Sequence, residues 1–178
     1  SRIWRYLAVE DKHVFLKRGS AEVGGLTVDI MLDASASQIN RQETISTQAY
    51  IIAESLTNCG IPVRVYSFCT KMQFTVLTLF RNYDEINDNQ KIFNYIATGC
   101  NRDGLAIKTA VRMIAETDAE HKLLIVLSDA KPLDTQIIND DSHRLDEHDY
   151  TDTPAILDTA VEVRKGRHKG ISVLCVFT

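Results

Sequence analysis

The sequence predicts a three-layer α/β sandwich with a mostly parallel central sheet and one antiparallel edge strand. Three observations carry this. Short apolar, β-branched runs alternate with segments of helical periodicity along most of the chain, as in a sheet with helices packed on it. The runs 27–33 (TVDIMLD) and 122–128 (KLLIVLS) are largely apolar, as suits central strands, and strands covered on both faces read as continuous apolar runs. Two β-rich runs, 61–69 and 73–80, are separated by a short gap, which suits an antiparallel hairpin.

The elements follow in order. Residues 27–33 form a first strand that ends on Asp33. Within 38–58, Ile45, Ala49, Ile52 and Leu56 recur at helical spacing, and Gly60 and Pro62 close that helix. The hairpin comes next. A polar stretch, 83–90, then leads into a short helix around 92–96. Beyond the loop 98–104 (TGCNRDG), Ile107, Ala110, Val111 and Ile114 mark a second long helix. The buried strand 122–128 runs directly into Asp129. Residues 134–153 are polar and break the pattern; they are expected to form a solvated loop, since charge runs face water. The length of that loop suits a binding element. Ile156, Leu157, Ala160, Val161 and Val163 supply the apolar positions of a helix ending near His168, and 171–177 is a final apolar strand.

A length of 178 residues fits one domain. The expected division is a lead-in over 1–26 and one domain over 27–178. The chain begins at Ser1 and stops on a strand, so it is expected to be excised from a longer protein.

Charge and composition exclude several roles. Lys and Arg number 20 against 24 Asp and Glu, a net charge of −4. That balance lacks the general attraction behind non-specific nucleic-acid binding and offers no polybasic membrane anchor. No apolar run approaches the roughly 20 residues of a transmembrane helix. Cys59, Cys69, Cys100 and Cys175 form no CxxC pair; they read as reduced, mostly buried thiols of a cytoplasmic protein.

In open α/β sheets, ligands bind beyond the carboxyl ends of the strands. Three polar loops are expected there: Asp33-Ala34-Ser35-Ala36-Ser37, Asn101-Arg102-Asp103-Gly104 and Ser128-Asp129-Ala130-Lys131. A helix cap accounts for one serine of the first loop. It does not account for an Asp and two serines on alternate positions after a buried strand. A hard divalent cation does, because Mg²⁺ takes oxygen ligands, keeps several waters and uses one or two carboxylates. Asp33, Ser35, Ser37 and Asp129 would supply two carboxylates and two hydroxyls.

The apolar strand, the DASAS loop, the long helix and the later strand ending in SDAKP together resemble the von Willebrand factor A domain. The resemblance covers about 27–178 and implies a Rossmann-like sandwich with a metal-ion-dependent adhesion site. That site is built from a D-x-S-x-S motif, a Thr in a second loop and an Asp in a third. Asp33, Ser35 and Ser37 match the first element and Asp129 the third. At the Thr position the chain has Asn101, which offers an amide oxygen; Asp103 is an alternative carboxylate. The stretches NRDGLAI, VLSDAKPLD and DTAVEVR are similar to the A-domain of bacterial nitric oxide reductase activation proteins, and more distantly to cobalt-chelatase-associated A-domain subunits. That branch implies work alongside a ring-forming AAA+ ATPase that inserts or activates a metal centre.

The expected function is therefore a metal-dependent protein-interaction domain, not an enzyme. It would bind a partner carboxylate through Mg²⁺, or Mn²⁺ or Ca²⁺, and its partner would be an AAA+ ATPase or a metalloenzyme client. The alternative is a Mg²⁺-dependent phosphoryl-transfer enzyme using Asp33. Against it, Ser35 stands where phosphatases of that kind place a second Asp, and neither a P-loop nor a G-x-S-x-G elbow occurs. A second metal site on Asp140, Asp141, His143, Asp146, Glu147, His148 and Asp149 ranks below a solvated loop. Trp4 and Tyr6 read as packing residues, and Lys131 as a surface lysine.

Overall fold

The computed structural model describes residues 25–72, 74–139 and 145–178. Trp4, Tyr6, Asp140, Asp141 and His143 therefore lie outside the described residues. Strands β1 (Leu26–Asp33), β2 (Val63–Lys71), β3 (Phe74–Arg81), β4 (His121–Ser128) and β7 (Ile171–Phe177) form a five-stranded sheet in the order β3-β2-β1-β4-β7. The pairs β1–β2, β1–β4 and β4–β7 are parallel; β3 joins β2 antiparallel at the edge. The expected sandwich and its hairpin edge are present, and the strand carrying Asp33 lies at the centre beside the one carrying Ser128.

Side-chain alternation along β1 explains the two covering layers. Val28, Ile30 and Leu32 point to one face and pack with Ile45, Ala49 and Ala53 of α1 (Gln42–Asn58). Met31 points to the other face and packs with Ala106, Ala110 and Ile114 of α2 (Asp103–Ala115). Each of the Val, Leu, Ile and Met side chains fully buried in this way contributes about 1.5–3 kcal/mol. The third helix, α3 (Asp152–His168), lies beside α2 on that second face. Period two also places Asp29 and Asp33 on the α2 side of β1, and both are wholly buried.

Three local expectations need correction. Residues 134–153 are not a featureless loop: β5 (Asp134–Asn139) and β6 (Leu145–Tyr150) pair antiparallel as a separate ribbon. Backbone pairing makes the ribbon, and its two ends are anchored inward by the buried Asp134 and Tyr150, which a count of charges overlooks. The helix expected over 38–58 begins as a 3₁₀ turn, Ala36–Arg41. Only Cys69 of the four thiols is buried; Cys59, Cys100 and Cys175 are exposed, after a helix end, in a loop and on an edge strand. Among the described residues, no helix is long and apolar enough to cross a membrane.

Candidate metal and partner site

Asp33 ends β1 and Ser128 ends β4, so two adjacent parallel strands deliver both residues to the same end of the sheet. The Ser128 hydroxyl donates to Asp33 Oδ2 at 2.8 Å. The backbone N–H of Ser35 donates to Asp33 Oδ1 at 2.9 Å, closing a turn that sends the chain upward out of the strand. Ser35 occupies the cap position of the 3₁₀ turn but makes no side-chain cap bond. Its hydroxyl lies instead 3.0 Å from that of Ser37. The helix-cap explanation of this serine therefore fails, and the two hydroxyls turn toward one another beside the Asp33 carboxylate.

The second loop is stitched to the first. Thr98 N–H donates to Ala34 O at 2.6 Å and Ala36 N–H to Gly99 O at 2.9 Å. Gly99 has φ +80°, and a Cβ there would stand 2.5 Å from the Thr70 carbonyl oxygen, so only glycine fits this crossing. Asn101 follows. Its amide oxygen accepts from Leu133 N–H at 2.9 Å, which orients the amide: the NH₂ points at Asp33 Oδ2 (3.3 Å) and Asp103 Oδ1 (3.0 Å). Asn101 thus joins the carboxylates of the first and second loops as a hydrogen-bond donor, with its oxygen turned to the third loop.

Asp103, the first residue of α2, is buried. Its carboxyl borders a hollow of about 100 Å³ between the sheet and helices α2 and α3, walled by Met31, Phe68 and Val173. That burial, reinforced by the charges of Asp33 and Asp129, pushes its pKa up to about 7; the bond from Asn101 works the other way. Burial also raises the pKa of Asp33, against the bonds from Ser35 and Ser128, and the charge of Asp129 adds to the rise. Asp129 is half-buried, with Oδ1 accepting from Lys131 N–H at 3.1 Å. Between them Ala130 adopts φ +53°, a left-handed conformation that costs an alanine more than a glycine.

The six residues singled out in the sequence therefore gather at one end of the sheet: Asp33, Ser35 and Ser37 from the first loop, Asn101 and Asp103 from the second, Asp129 from the third. No Lys, Arg or His pairs with Asp33, Asp103 or Asp129 among the described residues. Nor does any group of three His, Cys, Asp or Glu there close into a cation cage. The donor set is of another kind: separate carboxylates interleaved with neutral hydroxyls, all hard oxygens. That chemistry fits Mg²⁺ or Mn²⁺ bound through few protein carboxylates and several waters.

Supporting residues were not evident from sequence. The Tyr95 hydroxyl donates to the Asp33 backbone carbonyl and holds the strand end from the α1 side. Arg102 pairs with the buried Asp134, tying the second loop to the β5–β6 ribbon. Tyr150 accepts from Gly104 N–H at 3.2 Å and donates to Asp158 Oδ2 at 2.7 Å. A Cβ on Gly104 would strike both Asp158 and Tyr150, so this glycine seats the start of α2 against α3. Apart from the Tyr150–Asp158 bond, these links span 32 to 62 positions, and only the partner's placement in the fold makes them visible.

No family model matches the chain, and no curated protein matches it in sequence. Solved structures do match. The pilus adhesin SpaC of Lactobacillus rhamnosus GG superposes with a TM-score of 0.62 at 18% identity, covering 86% of this chain and 24% of the adhesin. The PilB minor pilin of Streptococcus sanguinis gives 0.60 at 12% identity, covering 87% of this chain and 57% of the pilin. The vWF domain of the type V pili tip protein Mfa5 from Porphyromonas gingivalis gives 0.53 at 17% identity, covering 64% of this chain and 40% of that one. The chain thus spans less than two thirds of each of these proteins. At such identities the likeness shows the fold: this is a three-layer α/β domain built like the vWF domain of Mfa5.

Proposed function

We propose that the chain is a metal-dependent protein-interaction domain. The observation that carries this is the gathering of Asp33, Asp103 and Asp129 at one end of the sheet, with the paired Ser35 and Ser37 hydroxyls beside Asp33 and no basic side chain among the described residues paired to any of the three acids. Burial and mutual repulsion act against the ionised carboxylates there. A divalent cation reverses both penalties. Asp33, Ser35, Ser37 and Asp129 would hold it, directly or through water, with Asp103 as the second-loop carboxylate and Asn101 as the clamp between the two buried acids. When bound, the cation supplies an open position for a carboxylate from a partner's Asp or Glu.

Binding rather than catalysis is supported by Asp33 itself, which is wholly buried with both oxygens already accepting bonds and is not accessible as a nucleophile. Similar folds occur in an adhesin and a pilus tip protein. The finer reading rests on the motifs NRDGLAI and VLSDAKPLD: a cytoplasmic domain whose partner is an AAA+ ATPase or a metalloenzyme client in a metal-centre activation or cofactor-insertion system.

Thermal melting tests the metal. A cation at about a hundred times its Kd stabilises the native state by roughly 2.7 kcal/mol, or some 5–10 °C for a domain of this size. Saturating Mg²⁺ or Mn²⁺ is expected to raise the melting point of the wild type over its EDTA-treated form by that amount, and that of Asp33→Asn scarcely at all. An equal rise in both proteins would place the ion elsewhere and overturn the proposal.

A further inference from the structure

The site opens into a cleft of about 600 Å³ that crosses the top of the sheet. On the α1 side its wall carries Ser35 and Ser37; across it stand Leu133 of the third loop and Ile156 of the first turns of α3. Leu133 is 60% and Ile156 58% exposed, so two large aliphatic side chains face water inside a concavity. Ala130 and Pro132 extend this apolar wall. A largely apolar pocket with a few convergent polar groups at one side is the general form of a recognition site. Among the described residues, two charged side chains border it: Lys131 in the third loop and Asp152 at the start of α3, on the same side as Ile156.

We infer that the cleft takes an extended segment of a protein partner in which the metal-bound Asp or Glu has one large aliphatic neighbour, seated between Leu133 and Ile156. This rests on the metal-dependent function proposed above and deepens it. Successive side chains of an extended chain point to opposite sides. With the carboxylate aimed at the serine side, the adjacent residue aims at the wall formed by Leu133 and Ile156. A carboxylate alone would not distinguish one surface acid from another, whereas burying an aliphatic side chain beside it adds both affinity and selectivity. Lys131 gives the cleft a cation that attracts the acid, and Asp152 on the aliphatic side opposes a second acid there. The partner segment therefore pairs one acid with one aliphatic residue and is not an acidic run.

Blocked hexapeptides test this by NMR titration of the full chain in saturating Mg²⁺. The probes are Gly-Gly-Asp-Leu-Gly-Gly and Gly-Gly-Leu-Asp-Gly-Gly, each with versions replacing Leu by Gly, Leu by Glu, and Asp by Asn. One Leu peptide is expected to bind about ten-fold more tightly than its Gly version, with the Glu version weakest of the three. Ile156→Ser, at an exposed position, should erase the Leu advantage while leaving the Gly peptide and the Mg²⁺-induced melting shift unchanged. Equal binding of Leu and Gly peptides, dependent on Asp and Mg²⁺, would overturn the aliphatic subsite and leave the metal-bridged function standing. Leu-peptide binding that survives EDTA and the Asp to Asn change would overturn the metal bridge and with it this assignment. No binding by any peptide at about 10 mM would overturn both.

Discussion

Asp29 and Asp33 lie four positions apart on one face of one strand, both wholly buried, yet their surroundings have nothing in common. Asp29 receives the Arg64 guanidinium in a fork, Nε to Oδ1 at 3.2 Å and Nη2 to Oδ2 at 2.7 Å. Tyr66 adds a bond at 3.0 Å and Tyr83 another. The guanidinium carbon in turn lies 4.7 Å from the Tyr83 ring centre and 5.8 Å from that of Tyr66. Burial and the neighbouring Asp29 charge push both tyrosine pKa values up, so the phenols remain donors. Among the described residues Asp33 has neutral donors alone, Ser35 N–H, Ser128 and Asn101, and two further acids nearby. A buried carboxylate with its own cation is a finished structural element. One surrounded by neutral donors and like charges has no such compensation within the described residues, and this is the contrast on which the proposed cation site rests.

The largest effect is expected where that completed pair is broken. Asp29→Asn leaves the Arg64 guanidinium, with only 13% of its side chain exposed, without its counter-charge. Removing one partner of a buried pair costs about 3–5 kcal/mol, so the melting point should fall by roughly 6 °C or more, while the Mg²⁺-induced rise persists. If Asp29→Asn and Asp33→Asn destabilise the metal-free protein equally, the contrast between the two aspartates is wrong.

Next in size is the pH response of the metal-free chain. Asp103 keeps its proton in the native state up to about pH 7, whereas the unfolded chain releases it near pH 4. Between those values the native state binds more protons, so this group's contribution to stability falls as pH rises. Denaturant midpoints in EDTA should therefore decline less from pH 4.5 to 7.5 in Asp103→Asn than in the wild type. Because a cation must displace that proton, Mg²⁺ affinity should rise with pH over the same range. A wild type and mutant with parallel pH profiles would remove Asp103 from the site.

Replacing both Ser35 and Ser37 by Ala is a gentler change. Neither hydroxyl caps the helix, so circular dichroism and metal-free stability should stay near wild type, while the Mg²⁺-induced melting shift shrinks. Loss of folding instead would make them structural. The smallest effect belongs to Ala130→Gly. It relieves the left-handed alanine at φ +53° and should stabilise the metal-free protein by about 0.5–1 kcal/mol, seen as a slightly higher melting point.

Much of this was legible in the chain. The apolar runs of β1 and β4, the helical spacing of Ile107, Ala110, Val111 and Ile114, and the short gap before β3 are local signals, because burial imposes its period on consecutive residues. That Asp33, Ser35, Ser37 and Asp129 would come together was legible for a different reason: strands that end on the same side of a parallel sheet must deliver their following loops to one place.

What the fold alone decided concerns partners distant in sequence. Asp29 and Asp33 are both acids on the same strand, and no local pattern says that Arg64 and Tyr83 will reach one while Ser128 and Asn101 reach the other. Asn101 could have offered its oxygen; the Leu133 N–H, brought in by the third loop, claims that oxygen and turns the amide nitrogen toward the acids. The polar stretch beyond Asp134 looked like solvated loop because its charges outnumber its apolar residues, yet backbone pairing and the inward anchors Asp134 and Tyr150 make it a ribbon. Periodicity records which side of an element is buried. Only tertiary structure decides which distant donor, acceptor or charge meets it there, because those energies depend on separations of a few ångströms between residues that the chain order keeps far apart.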